Sequence, residues 1–140
     1  MSGGTRSNVV PADARAEIDV RVMTMAEAAR IEQLMHGLQP VTGETTLRVT
    51  GGLNRPPMER TPQIMQRFET AKRLAAEIGY ALDETGTGGG SDGNFTAALG
   101  VPTMDGLGAV GNGAHSPHEF VLVDMLPKRA AVLAALLLEL

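Results

Sequence analysis

The chain has 140 residues, a formal net charge of −4 at pH 7 and 43% hydrophobic residues, which fits one ordinary domain or two small ones and excludes a disordered chain. The acidic balance disfavours a nucleic-acid partner, because nucleic-acid phosphates bind to basic surfaces. Cysteine is absent, which excludes disulfides, thiolate metal sites and cysteine nucleophiles, so any metal must be held by His, Asp or Glu.

The first half of the chain is predicted to form three strands and one helix. Alternating apolar and polar side chains are typical of a strand with one face in water. The predicted strands are residues 5–10, 14–22 and 45–50. Thr24 and Glu27 have the spacing of a capping box, in which each side chain satisfies an amide at the start of a helix. A helix is therefore expected from this point until Pro40.

A run of glycines and prolines, Gly51-Gly52-Leu53-Asn54-Arg55-Pro56-Pro57, interrupts all regular patterns. Glycine and proline break helices and strands, so a domain boundary or hinge is predicted there.

The second half alternates helices and strands. Thr61-Pro62 is expected to begin a helix that Gly79 ends, since proline suits the first helical position and glycine the end. Further helices are predicted at residues 91–99 and 126–140, and extended segments at 80–84, 101–105 and 120–123. This order is typical of an α/β fold, but it has too few strands to complete a sheet. Both halves are therefore expected to belong to something larger.

A glycine-dense turn, Thr85 to Gly90, precedes the predicted helix at 91–99. The backbone of Gly88, Gly89 and Gly90 is expected to adopt left-handed conformations and to bring free N–H groups close to a carboxylate or phosphate. Ser91 or Asp92 would cap the helix. The turn lacks the lysine of a P-loop and the third glycine of a dinucleotide-binding motif. A turn with no ligand explains the same residues equally well.

His115 lies in a glycine-lined loop, Gly113-Ala114-His115-Ser116-Pro117. A neutral imidazole is a good zinc ligand, and loops concentrate functional residues. The alternative is an exposed loop histidine, because a metal ligand needs companions. His118 and His36 are interpreted as a loop residue and a helix-end residue without a ligand role.

Arg21 and Arg55 could each clamp a substrate carboxylate through two parallel hydrogen bonds. The alternative for both is a solvated or ion-paired surface arginine. Asn8, on the predicted strand before Pro11, would by itself be interpreted as a turn-forming residue.

These motifs, in this order, resemble the zinc-dependent aminoacylase/carboxypeptidase family, which includes glutamate carboxypeptidase, acetylornithine deacetylase and succinyl-diaminopimelate desuccinylase. The resemblance rests on three segments and covers essentially the whole chain. The first segment is Gly4-Thr5-x-Ser7-Asn8-Val9-Val10-Pro11-Ala12 through Asp19-Val20-Arg21. The second segment is Gly88-Gly89-Gly90-Ser91-Asp92, and the third is Gly106-Leu107-Gly108 through Ala114-His115-Ser116-Pro117-x-Glu119.

The resemblance implies a parent protein with a catalytic α/β sandwich domain and an inserted α+β, ferredoxin-like lid. Residues 1–57 would be the later half of the lid and dimerisation domain, and residues 58–140 the C-terminal part of the zinc catalytic domain. His115 would be a zinc ligand. Substrate would be bound by Asn8, Arg21, Arg55, the glycine turn Gly88, Gly89 and Gly90, and Ser91.

The same resemblance implies two zinc ions per complete active site, but the other ligands and the catalytic glutamate of the family have no match in this chain. No catalytic residue is therefore assigned here, and the chain alone is expected to bind zinc poorly and not to hydrolyse amides. The expected substrate of the parent is a small peptide or N-acyl amino acid, and the expected partner is a second copy in a homodimer. A non-catalytic dimerising or binding module is the alternative, and a phosphate-binding module a weaker one.

No stretch of about 18 apolar residues could span a bilayer, and the N-terminus lacks the apolar core of a signal peptide. No membrane partner is expected, and the expected location is cytoplasmic.

Overall fold

The computed structural model describes residues 1–139, and it confirms the mixed α/β class that the sequence predicts. Within these residues, no helix combines the length and the apolar character needed to cross a membrane. The elements in chain order are β1 (Ser2–Gly3), β2 (Ala14–Arg15), α1 (Met25–His36), α2 (Pro62–Glu77), α3 (Gly93–Ala98), β3 (Gly111–Asn112), β4 (Phe120–Val121), a 3₁₀ turn (Val123–Met125) and α4 (Leu126–Glu139). The predicted last residue of α4, Leu140, lies outside the described residues.

All predicted helices form, and local signals set their ends. Thr61 caps α2 by accepting a hydrogen bond from the Ile64 amide at 3.3 Å, and Pro62 occupies the first turn. Gly79 follows the helix with φ at +85°, a conformation that glycine adopts without the steric cost of a Cβ. The helix therefore begins and ends where the sequence predicts.

The capping box of α1 forms only in part. The Thr24 hydroxyl accepts a hydrogen bond from the Glu27 amide at 3.2 Å. The Glu27 carboxylate binds the Arg30 guanidinium instead, at 2.6 and 2.7 Å, and this hydrogen bonding lowers the pKa of Glu27. A charge-assisted bond to arginine is stronger than a bond to a neutral amide, so the carboxylate turns along the helix.

Most of the predicted strands are not present. Of residues 14–22, only Ala14 and Arg15 pair, antiparallel with Gly3 and Ser2. The segment 5–10 contains a turn at residues 7–8, and the segments 45–50, 80–84 and 101–105 have no strand assignment. Alternation predicts an extended segment with one apolar face, but a strand also needs a neighbour to pair with. Within residues 1–139, β4 has such a neighbour, since it pairs antiparallel with β3.

The hydrophobic core lies between α2 and α4. Its buried residues are Ala71, Leu74, Ala75, Leu82, Val132 and Leu136. No residue between 1 and 60 is buried, so the first part of the chain contributes no core of its own. The packed part of the described chain is therefore the second half.

Arg129 is a charged residue at the edge of this core and is only 9% exposed. Its guanidinium donates hydrogen bonds to the carbonyl oxygens of Gly108, at 2.7 Å, and Gly106, and lies 3.5 Å from the Tyr80 hydroxyl. A buried charge is tolerated when its donors are satisfied. Arg129 therefore attaches the segment 106–108 to the first turn of α4.

Candidate functional site

The glycine turn before α3 is shaped by neighbouring side chains. Contrary to the expectation of left-handed backbone, none of Gly88, Gly89 and Gly90 has a positive φ. A Cβ added at Gly88 would lie 3.0 Å from the Arg21 Cδ, and one added at Gly90 would lie 2.9 Å from the Arg55 Cδ. Glycine at 88 and 90 therefore lets two arginine stems lie against the backbone, and a Cβ at either position would push a stem aside.

Ser91, rather than Asp92, caps the start of α3. The Ser91 hydroxyl accepts a hydrogen bond from the Gly93 amide at 3.1 Å, and the Ser91 amide donates to the Asn94 Oδ1 at 2.9 Å. Asp92 makes no capping hydrogen bond, and its side chain is fully exposed. With only six residues, α3 contributes a small dipole, so the positive charge beside the turn comes from the arginines.

Arg21 is oriented from two sides. Its Nε and Nη2 donate to one carboxylate oxygen of Asp19 at 3.2 and 3.1 Å, and its Nη1 donates to the Gly88 carbonyl at 3.2 Å. The side chain is 63% exposed. Arg21 is thus a surface cation held against the glycine turn.

Arg55 lies at the other end of the turn, beside Gly90. Its guanidinium carbon is 5.1 Å from the centroid of the Phe95 ring, a distance at which a cation is attracted to an aromatic face. Its Nη2 is 3.9 Å from an Asp92 carboxylate oxygen, a long contact that leaves room for a better acceptor. The glycine turn is therefore flanked by two guanidinium groups.

Two contacts link residues 56–60 to residues on either side of the glycine turn. The Asn94 Nδ2 donates to the Pro56 carbonyl at 2.8 Å. Arg60 binds the Glu84 carboxylate with contacts of 2.5 to 3.0 Å, and this hydrogen bonding lowers the pKa of Glu84. Neither Asn94 nor Glu84 is among the predicted site residues. The spacing of Ser91 and Asn94 indicates a cap, but nothing in the sequence indicates the contact with Pro56.

His115 lies at the tip of the β3–β4 hairpin. Its φ of +66° makes it the one residue other than glycine with positive φ in residues 1–139. The turn is closed by a hydrogen bond from the Ser116 amide to the Gly113 carbonyl at 2.9 Å. Unusual backbone of this kind is concentrated at functional sites, and the exposed imidazole is accessible to a ligand.

The structure brings together Arg21, Arg55, the glycine turn and Ser91. Asn8 is exposed and lies in a turn instead of the predicted strand. Across the described part of the chain, no hydrogen bond joins Asn8 or His115 to the arginines or the turn. The two arginines therefore flank the same turn, and His115 lies on a separate hairpin.

Zinc in proteins is bound by three or four protein side chains. Residues 1–139 contain no group of three His, Asp or Glu side chains that could hold a metal ion. The described residues therefore do not form a metal site by themselves, although His115 has the chemistry of a single ligand.

Comparison with known proteins shows a family relationship over nearly the whole chain. The profile of peptidase family M20/M25/M40 matches residues 6–139. Carboxypeptidase G2 from Pseudomonas sp. (strain RS-16) is 29% identical over 149 aligned residues, which cover 98% of this chain and 34% of that protein. The uncharacterized protein YqjE from Bacillus subtilis (strain 168) is 35% identical over 74 residues, which cover 53% of this chain and 20% of that protein.

The chain thus spans about a third of the length of carboxypeptidase G2. No solved structure matches it.

Proposed function

The chain belongs to peptidase family M20/M25/M40, and we propose that it supplies the carboxylate-binding part of an enzyme that cleaves an amide bond next to a carboxylate-bearing amino acid. The observation that supports this proposal is the placement of Arg21 and Arg55 against Gly88 and Gly90. Carboxypeptidase G2 is a carboxypeptidase by name, and a carboxypeptidase acts beside a free carboxylate. The proposed substrates are small peptides or N-acyl amino acids of the glutamate type.

The two arginines would bind the substrate in different ways. Arg21 is already oriented by Asp19 and by the Gly88 carbonyl, so it offers a fixed positive charge. Arg55 has only a loose contact with Asp92, at 3.9 Å, so a substrate carboxylate can replace it with two short hydrogen bonds. Both groups are partly in water, and each bond is therefore worth less than a fully buried one.

Members of this family are generally metal-dependent, and we propose zinc as the metal, with two ions in the complete active site of the parent. When bound, zinc lowers the pKa of a water molecule and polarises the substrate carbonyl. His115 would be the one ligand from this chain. Because residues 1–139 supply no complete site, no step of hydrolysis is assigned to them, and we expect the chain alone to be inactive.

The proposed domain boundary stays at residue 57, with residues 1–57 as part of a lid and residues 58–140 as part of a catalytic domain. The burial pattern supports this division, because every buried residue lies after residue 70. Pro56, next to the proposed boundary, accepts a hydrogen bond from Asn94 of the second segment. The cytoplasmic location expected from the sequence stays a prediction.

A second candidate function is association, as a dimerising or binding module. Large apolar side chains on β4 and on α4 are exposed, among them Phe120 at 52%, Val121 at 50% and Leu138 at 89%. Contiguous exposed apolar surface favours protein contacts. Light scattering across a dilution series tests the homodimer, and a monomer at every concentration would contradict it.

The substrate proposal is tested by NMR titration with an N-acyl-L-glutamate. We expect Arg21→Met and Arg55→Met each to weaken binding about tenfold or more, because each removes charge-assisted hydrogen bonds. Arg15→Met is the matched control, since Arg15 is an exposed arginine paired with Glu17. Equal affinity in the two site variants and the control would contradict the proposal.

A further inference from the structure

We propose that Asn94 is a positioning residue that holds Arg55 on the glycine turn. Its amide group links α3 to the carbonyl of Pro56, the residue directly after Arg55. The link follows from the geometry alone, and its relevance to substrate binding rests on the proposed function. Asn94 would act on the ligand through Arg55.

The Asn94 side chain is buried, at 9% exposure, and both ends of its amide are satisfied. Nδ2 donates to the Pro56 carbonyl at 2.8 Å, and Oδ1 accepts from the Ser91 amide at 2.9 Å. A carboxylate could keep the second bond but has no hydrogen for the first. The asparagine side chain therefore supplies both the donor for Pro56, 38 residues away in the sequence, and the acceptor for Ser91, 3 residues away.

Fixing the Pro56 carbonyl restricts Arg55. A residue before proline is limited to extended backbone, and the Pro56 side of the bond is anchored by Asn94. The Arg55 stem then lies where a Cβ on Gly90 would come within 2.9 Å of its Cδ. Its guanidinium lies over Phe95, the next residue on α3. Adjacent residues of α3 thus hold the backbone and the charged end of the same arginine.

The second contact, the ion pair between Arg60 and Glu84, is weaker. Arg60 and Glu84 are 54% and 44% exposed, and exposed ion pairs contribute little because water screens them. A buried hydrogen bond is not exchanged for water so easily. The Asn94–Pro56 bond is therefore the stronger of the two contacts between residues 56–60 and the residues that flank the glycine turn.

The test compares Asn94→Asp, which removes the donor and keeps the acceptor, with Asn94→Ala, which removes both. Thr96→Val is the control on the same helix, because the Thr96 hydroxyl bonds only within 91–103. The first readout is the Arg55 Nε–Hε NMR resonance, which the Phe95 ring shifts. The second is the affinity for an N-acyl-L-glutamate.

In Asn94→Asp we expect the Arg55 resonance to move toward that of a flexible arginine and the affinity to fall about tenfold. The Gly93 amide, bonded to Ser91, should keep its resonance. Thr96→Val should change neither readout. An unmoved Arg55 resonance in Asn94→Asp, or the same movement in Thr96→Val, would overturn the proposal. If the native chain does not bind the ligand, the proposed function fails, while the Arg55 resonance still tests the role of Asn94.

Hydrogen exchange in the unmodified chain provides a measurement that does not depend on the folding of a variant. The Asn94 side-chain NH₂ is bonded and buried, so one of its protons should exchange much more slowly than those of Asn54, which is exposed. Equal exchange of the two side chains would refute the bond to Pro56.

Discussion

One added methyl group at Gly90 should weaken carboxylate binding more than it weakens folding. In Gly90→Ala the new Cβ would lie 2.9 Å from the Arg55 Cδ and 3.3 Å from the Asn94 Oδ1. The first distance is shorter than a normal carbon–carbon contact, so the arginine stem must move. The guanidinium then leaves its place beside the turn.

The loss of folding stability and the loss of binding free energy in Gly90→Ala can be estimated separately. Overpacking costs about 1 kcal/mol here, the low end of its range, because the Arg55 side chain is 38% exposed and can shift. Hydrogen bonds to a charged group are worth about 1.5 to 3 kcal/mol each. Losing one such interaction in the complex weakens binding about 10- to 100-fold.

Gly89→Ala is the matched control in the same turn. Its new Cβ would find no atom closer than the Thr87 Oγ1 at 3.6 Å, an ordinary contact. Gly89 has no positive φ, so alanine fits the backbone and should stabilise the fold by about 0.5 kcal/mol through the unfolded state. Binding should weaken less than in Gly90→Ala, because the Arg21 and Arg55 stems keep their places.

The assay is a pair of measurements on each variant, urea unfolding and NMR titration with an N-acyl-L-glutamate. Gly90→Ala should lose affinity with a small loss of stability, and Gly89→Ala should lose less affinity than Gly90→Ala. If the two variants bind equally well, the contact between Gly90 and Arg55 does not position the arginine, and the reasoning is refuted.

Three further predictions concern the hairpin, the core and pH. His115→Gly should be more stable than His115→Ala by about 1 kcal/mol, because positive φ is costly for alanine but not for glycine. Elsewhere in a protein the alanine variant is usually the more stable one. Equal urea midpoints of the two variants would contradict a positive φ at His115. Leu136→Ala should cost about 2 to 5 kcal/mol because Leu136 is 1% exposed, whereas Leu138→Ala, at 89% exposure, should cost almost nothing; thermal unfolding of both variants checks this contrast. The bond from Arg60 lowers the pKa of Glu84 below 4.5, so this carboxylate stabilises the fold above about pH 4.5 and the contribution is lost as the pH falls through the lowered pKa. The stability difference between the native chain and Glu84→Gln should therefore shrink between pH 6 and pH 3 (about the range over which a carboxyl titrates), and a constant difference would contradict the ion pair.

Helices could be predicted from the sequence because their signals are local. Thr61, Pro62 and Gly79 act within one or two turns of α2, and each has the predicted role. Strands were predicted less well, because pairing depends on neighbours that lie far away in the chain. The segment 120–123 contains β4, but the segments 45–50, 80–84 and 101–105 have no strand. The segment 14–22 has the alternation of a strand, yet only Ala14 and Arg15 find a partner.

The sequence indicated Arg21, Arg55 and the glycine turn as parts of one candidate site, but it did not indicate the contacts between them. Arg21 lies against Gly88 and Arg55 against Gly90, and these two glycines allow the approach of side chains without positive φ. Asn94 could not be predicted, because its decisive partner is 38 residues away. Positive φ at His115 could not be foreseen either, since most residue types avoid that conformation.

The most direct test of the carboxylate site compares an N-acyl-L-glutamate with its neutral diamide. Both ligands have nearly the same size, and they differ in the charges that Arg21 and Arg55 would bind. We predict that the charged ligand alone shifts the NMR signals of the Gly88–Gly90 amides and of both arginine Nε–Hε groups. Equal shifts with the diamide, or none with either ligand, would contradict a carboxylate site at the glycine turn.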